Sequence, residues 1–460
     1  MKRSGDNRFR MEKKIMTETT ERILQMIQQS PTAFHAVETV RNELKERGFI
    51  RLQETRPWAL QPGGRYYVIR NHSSVISFRM PEKKPRSFRV TASHSDSPCF
   101  KLKADPEMQA SGAYIKLNVE RYGGMIIRSW LDRPLSLAGR IFVREDGGLR
   151  EKLVNIDRDL LMIPSLAIHM DRKVNQGQTL NLQTDMLPLL SAFGEGSESA
   201  EDIPVDGKVK ELLAEEAGIQ AENILGGDIF VYNRMKPTVW GENQEFISSG
   251  RLDDLECCFA TLLGFTDAAE KDLEEVVRMH AVFDNEEVGS GTAQGADSTF
   301  LQDVMTRIAE ACGCSRDEFL AAAAASMMLS CDNAHAVHPN HAEKADPVNR
   351  PRMNHGIVLK YDASQKYTTD GFSGAYVRLL CEQQGIPYQV FTNRSDMPGG
   401  STLGNISQAH VSMRTADIGL PQLAMHSAYE TAGARDPEYL RRLASAFFIA
   451  RPLDFSEVDA

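Results

Sequence analysis

The sequence predicts an α/β protein, a sheet with helices on both faces, interrupted by a β-rich insertion. Three observations carry this reading. Helix-like and strand-like patterns alternate from Pro237 onward. The N-terminal part opens with helical stretches and passes into short β-type runs, while residues 113 to 144 read as strands alone. Alternation of the first kind argues for a sheet covered by helices on both sides. Residues 17–98 and 238–460 are therefore expected to form one α/β domain, with 99–237 inserted into it and 1–16 a disordered lead-in.

Element by element, "TTERILQMIQQS" and "AFHAVETVRNELKERG" space their apolar residues by three and four, and the second ends at Gly48. "RYYVIR", "SVISFRM" and "SFRVTASH" have strand character, the last running into polar residues at His94. In the insertion, "AYIKLNVE", "GMIIRSWL" and "LAGRIFVR" are expected as strands. The small, polar, acidic stretch 191–204 is expected as a mobile loop, and "KVKELLAEEAG" as a helix. After Pro237, helix "DLECCFATLLGFTDAA" precedes the buried strand "EVVRMHAVFD". Helices over 299–311 and 315–326, strands "MMLSCD" and "GIVLKY", and helix "GFSGAYVRLLCEQQG" follow. Strands "YQVFT" and "AHVSMRT" and helix "PEYLRRLASAFFIA" complete the pattern.

Composition limits the functional classes. A net charge of −10 argues against general nucleic-acid binding, because a phosphate lattice repels an acidic surface. Seven cysteines in 460 residues do not suggest a disulfide framework, so a reducing, cytoplasmic setting is expected. Cys312 and Cys314 flank one glycine, but no second pair with ligand spacing accompanies them. The charged N-terminus lacks the apolar core of a signal peptide. The longest apolar run, "FLAAAAASMML", is too short to span a bilayer.

In open α/β sheets, sites gather beyond the carboxyl ends of the strands. The polar residues found there are His94 and Asp96 in "TASHSDSP", Asp253 and Asp254 in "SSGRLDDLE", Glu286 and Glu287 in "FDNEEVGSG", Asp332 after "MMLSC", and His426 in "PQLAMHSAYE". Singly, each has an ordinary explanation: Asp253 and Asp254 could cap a helix, and the glutamates could be a solvated turn. Together they form a His/Asp/Glu set suited to zinc, and tolerable for manganese or cobalt. An aspartate with oxygens on both sides can bridge two ions. A glutamate beside them that does not ligate could serve as general base. Gly289 and Gly291 are expected to let the turn bring both carboxylates inward.

The segments "TASHSDSPCFKLK", "SSGRLDDL", "FDNEEVGSGTAQGADS", "SCDNAHAVHPN", "MPGGSTLG" and "PQLAMHS" resemble, in order, the signatures of the aspartyl aminopeptidase and vacuolar aminopeptidase I family. That resemblance runs from about Glu21 to Pro452. It implies a phosphorylase/hydrolase-like catalytic domain with an inserted β-rich dimerisation domain, a dimer-based dodecamer, and hydrolysis of the N-terminal residue of peptides with two zinc ions. His94 and Asp332 would hold one ion, Glu287 and His426 the other, and Asp253 would bridge them. Asp96 would orient the His94 ring, Glu286 would be the general base, and the Asp253–Asp254 peptide would be cis. Lys360, Tyr367, Gly400 and Ser401 fall where substrate contacts are expected, and His169 where a histidine reaches a neighbouring subunit's site. His335, His338 and His341 are expected to be structural or to support the ligands, with His338 the exception if there is one. Lys360 gives a weak preference for Asp or Glu at the N-terminus; neutral residues are the alternative. A deacylase or carboxypeptidase would need a cation for a free carboxylate, with Arg394 the nearest. A non-catalytic scaffold would need a missing ligand or base, and none is missing.

Overall fold

The computed structural model describes residues 16–192, 206–271 and 273–450. The expected lead-in, apart from Met16, and residues 193–204 of the expected loop lie outside them. Helices α1 (Glu18–Gln28) and α2 (Ala33–Glu46) precede β1 (Ile50–Leu52), β2 (Arg65–Arg70), β3 (Ser74–Arg79) and β4 (Ser87–His94). Next come β5 (Cys99–Ala110), β6 (Tyr114–Tyr122), β7 (Leu135–Glu145), β8 (Gly148–Asn155), β9 (Leu189–Ala192), α3 (Lys208–Ala217) and β10 (Ile224–Asn233). Then follow β11 (Thr238–Trp240), β12 (Phe246–Ser249), α4 (Leu252–Ala269), β13 (Val276–Phe283), α5 (Phe300–Ala311), α6 (Arg316–Ala324), β14 (Met327–Cys331) and β15 (Ala334–His335). The chain closes with β16 (Ile357–Tyr361), α7 (Gly371–Gln384), β17 (Tyr388–Thr392), α8 (Leu403–Gln408), β18 (Arg414–Gly419), β19 (Pro421–Leu423), β20 (Glu430–Gly433) and α9 (Asp436–Ile449).

A nine-stranded sheet, ordered β1-β2-β3-β13-β4-β14-β18-β16-β17, forms the centre. Its middle strands β13, β4, β14 and β18 run parallel, which brings their carboxyl ends to one edge. Strand β13 is buried throughout, and alternate side chains enter opposite cores. Met279, Ala281 and Phe283 meet α5, whereas Val282 joins the core containing α1, α4 and α9. Helices therefore cover both faces, as an α/β fold requires. A six-stranded antiparallel sheet, β8-β7-β10-β5-β6-β9, arises between β4 and β11 and has its own core around Leu117, Leu137 and Val231. A small third sheet, β11-β12-β20-β19-β15, completes the fold.

Two expected strands differ. "GMIIRSWL" forms a 3-10 turn at Ile127–Trp130 instead, held by the Ser129 hydroxyl donating to the Ile126 carbonyl at 2.6 Å. "AHVSMRT" only begins the strand, since β18 starts at Arg414. Val411 and Met413 there are buried in the core over α5, so their hydrophobicity reflects packing and not a strand. Among the described residues, no helix is long and apolar enough to cross a membrane.

Candidate metal centre

The parallel register brings the polar strand ends together. Phe283, at the end of β13, pairs with His94, at the end of β4, and Ser330 in β14 pairs with Ala92. Polar residues that follow each strand thus converge at the same edge.

Asp253 occupies the middle. Its Oδ1 lies 3.5 Å from His94 Nε2, and its Oδ2 lies 3.4 Å from His426 Nε2. Each histidine is fixed from its other nitrogen. His94 Nδ1 donates to the Asp96 carbonyl at 3.1 Å, and His426 Nδ1 to the Gly124 carbonyl at 2.6 Å. Both rings therefore direct Nε2 inward, the arrangement that prepares a histidine as a metal ligand. Asp332 Oδ1 is 3.9 Å from His94 Nε2, and Glu287 Oε1 is 3.4 Å from His426 Nε2.

The two aspartates are not helix caps. Arg251 occupies the cap position of α4, and the backbone at Asp253 and Asp254 is non-helical, with a cis peptide between them. Asp254 Oδ2 accepts the His94 backbone N–H at 3.1 Å. The kink thus serves both residues: one carboxylate faces the histidines and the other anchors a strand end.

The double-glutamate turn is a 3-10 segment, Glu286–Val288. It is entered through Asn285 at φ 64° and left through Gly289 at φ 97°. Gly291, expected to share that duty, does not have a positive φ; Ser290 does, at 60°. Asn285 tolerates the left-handed backbone because its side chain is tied locally, donating to the Tyr122 hydroxyl and accepting from Thr292 and Gln294. The Asp96 carboxylate has a larger commitment here than to the His94 ring. It accepts the backbone N–H of Glu286 at 3.2 Å and of Glu287 at 3.1 Å, and the Tyr122 hydroxyl at 2.7 Å. Its Oδ1 is 3.4 Å from His94 Nδ1.

Glu430 was not singled out in the sequence, although it lies within "PQLAMHSAYE". It is buried and accepts two backbone N–H groups, from Asp253 at 3.1 Å and from His426 at 2.7 Å. His426 holds a positive φ of 66°, so this contact fixes an uncommon backbone conformation. The only sequence signal was a carboxylate four residues beyond a candidate ligand.

The electrostatics fit a cation. Burial raises Glu286 to about 7 and, with the nearby Asp253 charge, pushes Glu287 well above the usual carboxylate range. Burial opposes charge on His426, yet Asp253 and Glu287 raise it to about 10. His94 is likewise raised by Asp253 and Asp96 against the effect of burial. Buried Asp253 Oδ1, Asp254 Oδ1 and Glu287 Oε1 have no hydrogen-bond partner. Ligand atoms of His94, Asp253 and Glu287 lie within 4.8 Å of one another, as do those of Asp253, Asp254 and Asp332. Imidazole and carboxylate donors of this kind fit zinc. These residues would hold the metal, and it would satisfy the carboxylate oxygens that the protein leaves unpaired.

A cavity of about 200 Å³ opens onto His94, Asp253, Glu286, Asp332 and His426. Lys360, Tyr367, Gly400 and Ser401 also line it. Lys360 is 2% exposed; its Nζ donates to the Asp332 carbonyl at 2.8 Å and lies 3.5 Å from Asp332 Oδ2. Of the clustered histidines, His335 reaches the cavity, while His338 and His341 are exposed and pack on each other. His335, not His338, is the one of the three that lines the cavity, its ring packing against Phe391. His169 is exposed in the turn after β8 and is not brought to this cavity within one chain. Arg394 donates twice to Asp396, at 2.8 and 2.6 Å, and does not line the cavity.

The family described as Aminopeptidase I zinc metalloprotease (M18) matches residues 26–448. A probable M18 family aminopeptidase 2 from Clostridium acetobutylicum is 44% identical over 435 residues, covering 94% of this chain and 98% of its own. The cryo-EM structure of the Ape4 and Nbr1 complex matches with a TM-score of 0.90 and 37% identity, covering 94% of this chain and 85% of that one. The S. cerevisiae mApe1 dodecamer matches with a TM-score of 0.81 and 26% identity, covering 94% and 96%. With a match of this extent around such a site, the chain belongs to the M18 family of zinc metallo-aminopeptidases.

Proposed function

We propose that this metallo-aminopeptidase removes the N-terminal residue of peptides at a two-ion site, with zinc the favoured metal. Asp253 carries the reading, because it offers one oxygen toward each of two histidines that otherwise face different carboxylates. His94 and Asp332 form one ligand set, His426 and Glu287 the other, with Asp253 common to both. Bound zinc supplies Lewis-acid polarisation of the scissile carbonyl. Glu286 is the proton carrier, taking a proton from water and passing it to the leaving amine. Burial raises its carboxyl above the usual carboxylate range, which strengthens it as a base. Asp96 holds the backbone that carries Glu286 and Glu287, so base and ligand keep a fixed separation.

Lys360 supports a preference for Asp or Glu at the N-terminus. An ammonium has three donors, and two of them face the carbonyls of Asp332 and Asn333 at 2.8 and 3.4 Å. The third can meet a substrate carboxylate. A neutral preference is the second reading, supported by the Asp332 carboxylate 3.5 Å from the same Nζ and by the Tyr367 and Phe391 rings beside it. Rates on Asp-, Glu-, Leu- and Met-anilides decide between them. We expect the acidic pair to exceed the neutral pair by about tenfold or more in kcat/KM; the reverse order establishes the neutral reading.

The working unit is proposed to be a homo-oligomer, a dimer-based dodecamer, in the cytoplasm. Residues 17–98 and 238–460 would form the catalytic domain and 99–237 the oligomerisation domain. Leu166 and Ile168, each 53% exposed, and Met170, 76% exposed, surround His169 and suit a surface covered by another copy. His169 would enter that copy's cavity. His169→Ala is expected to lower kcat by roughly tenfold or more, with the native assembly mass and metal content unchanged. Full activity in that variant would remove His169 from the site.

A further inference from the structure

A second cavity, of about 160 Å³, lies between the nine-stranded and six-stranded sheets. It does not open onto the metal ligands, but Asp96, Asn285 and Glu430 form part of its wall. Two buried donors on that wall have no acceptor, Trp130 Nε1 and Arg251 Nε. Trp130 is only 3% exposed. Arg251 donates from Nη2 to the Ile27 carbonyl at 3.3 Å, and its guanidinium lies 6.0 Å from the Tyr232 ring. Among the described residues it forms no ion pair, and the carboxylate whose charge acts on it is that of Glu430 on the same wall. The other cations on the wall, Lys101 and Arg140, are both paired with Asp228, each at 2.9 Å.

A buried guanidinium N–H without an acceptor is costly, and a buried indole N–H without one adds to that cost. Both are relieved by one anionic acceptor placed between them. Phe34, Phe230 and Tyr232 give part of the remaining wall an aromatic surface, and Asn71, Ser95, Asp284 and Gln294 are among its polar members. A cavity of roughly 150 Å³ has room for a benzene ring, so the space is large enough for one ring or a branched aliphatic group.

We propose that this cavity binds a small organic monocarboxylate with an apolar body of about one ring. The carboxylate accepts from Arg251 and Trp130, and the body lies against Phe34, Phe230 and Tyr232. Its position makes it an effector site. Asp96 and Glu430, on the shared wall, hold the backbones of Glu286, Glu287, Asp253 and His426. A simple aromatic acid and a free amino acid share the required chemistry.

The test is calorimetric titration of the metal-loaded, full-length enzyme, with an amino-acid hydroxamate present to fill the metal-lined cavity. Benzoate, phenylalanine and benzylamine are the titrants. Benzoate is expected to bind and benzylamine not to bind. Phenylalanine binding as tightly as benzoate assigns the site to amino acids; benzoate alone assigns it to simple acids. Arg251→Gln and Trp130→Phe should each weaken binding about tenfold or more. Trp130→Phe keeps the ring and removes only the donor, so it decides alone if Arg251→Gln fails to fold. Absence of binding by both acids, or affinity unchanged by Trp130→Phe, overturns the proposal.

Discussion

Glu286→Gln should lower kcat by roughly 10²–10⁴-fold, the usual contribution of a positioned acid–base group. The amide keeps the size of the side chain and the backbone contacts to Asp96, which involve the N–H groups of Glu286 and Glu287 and not the Glu286 carboxylate. It removes only the ability to accept and return a proton. Metal content should therefore remain at the wild-type level, and the loss should fall on kcat with little change in KM. Metal analysis alongside steady-state kinetics checks both. Activity close to wild type would mean that another group carries the proton, and Glu286 would become a wall residue of the cavity.

Asp253→Asn should cost more, because on the proposed two-ion reading it removes a ligand position as well as charge. In the wild type the two carboxylate oxygens face different histidines. An amide offers one oxygen, so one of the two histidines faces an NH₂ group that cannot ligate. The backbone support from Glu430 is retained, since it is made to the Asp253 N–H. The local fold should therefore persist while metal affinity falls, beyond the roughly 10–100-fold that follows loss of an outer partner. Isothermal titration of the chelator-treated protein with zinc measures this directly. Two equal binding events in the variant would contradict a bridging Asp253 without touching the role of Glu286.

Much of this was legible in the sequence, and the reason is specific. The runs ending at His94, Phe283 and Cys331 are buried strands, so polar residues directly after them stand out against apolar neighbours. In a parallel sheet such positions meet, whatever their separation along the chain. His94, Glu286, Glu287 and Asp332 could thus be nominated from local pattern alone. The pair Asp253–Asp254 was ambiguous for an equally local reason, since aspartates ahead of an apolar helix usually cap it. Only the kinked backbone at the start of α4 separates a ligand-bearing turn from a cap.

The sequence by itself determined the alternating architecture, the chemistry of the donor set and the order in which its members occur. Local hydrophobic periodicity and residue type carry that information. Tertiary structure alone decided that Asp96 supports the glutamate turn and that Glu430 ties Asp253 to His426. It also decided that Arg251 and Trp130, each with one buried N–H that has no acceptor, line a cavity between two sheets. The hydrogen bonds that Asp96 makes to the glutamate turn join side chain and backbone as many as 191 residues apart. Hydrogen bonds of that span depend on how the sheets are stacked and on the path of each turn, and neither leaves a periodic trace in the sequence.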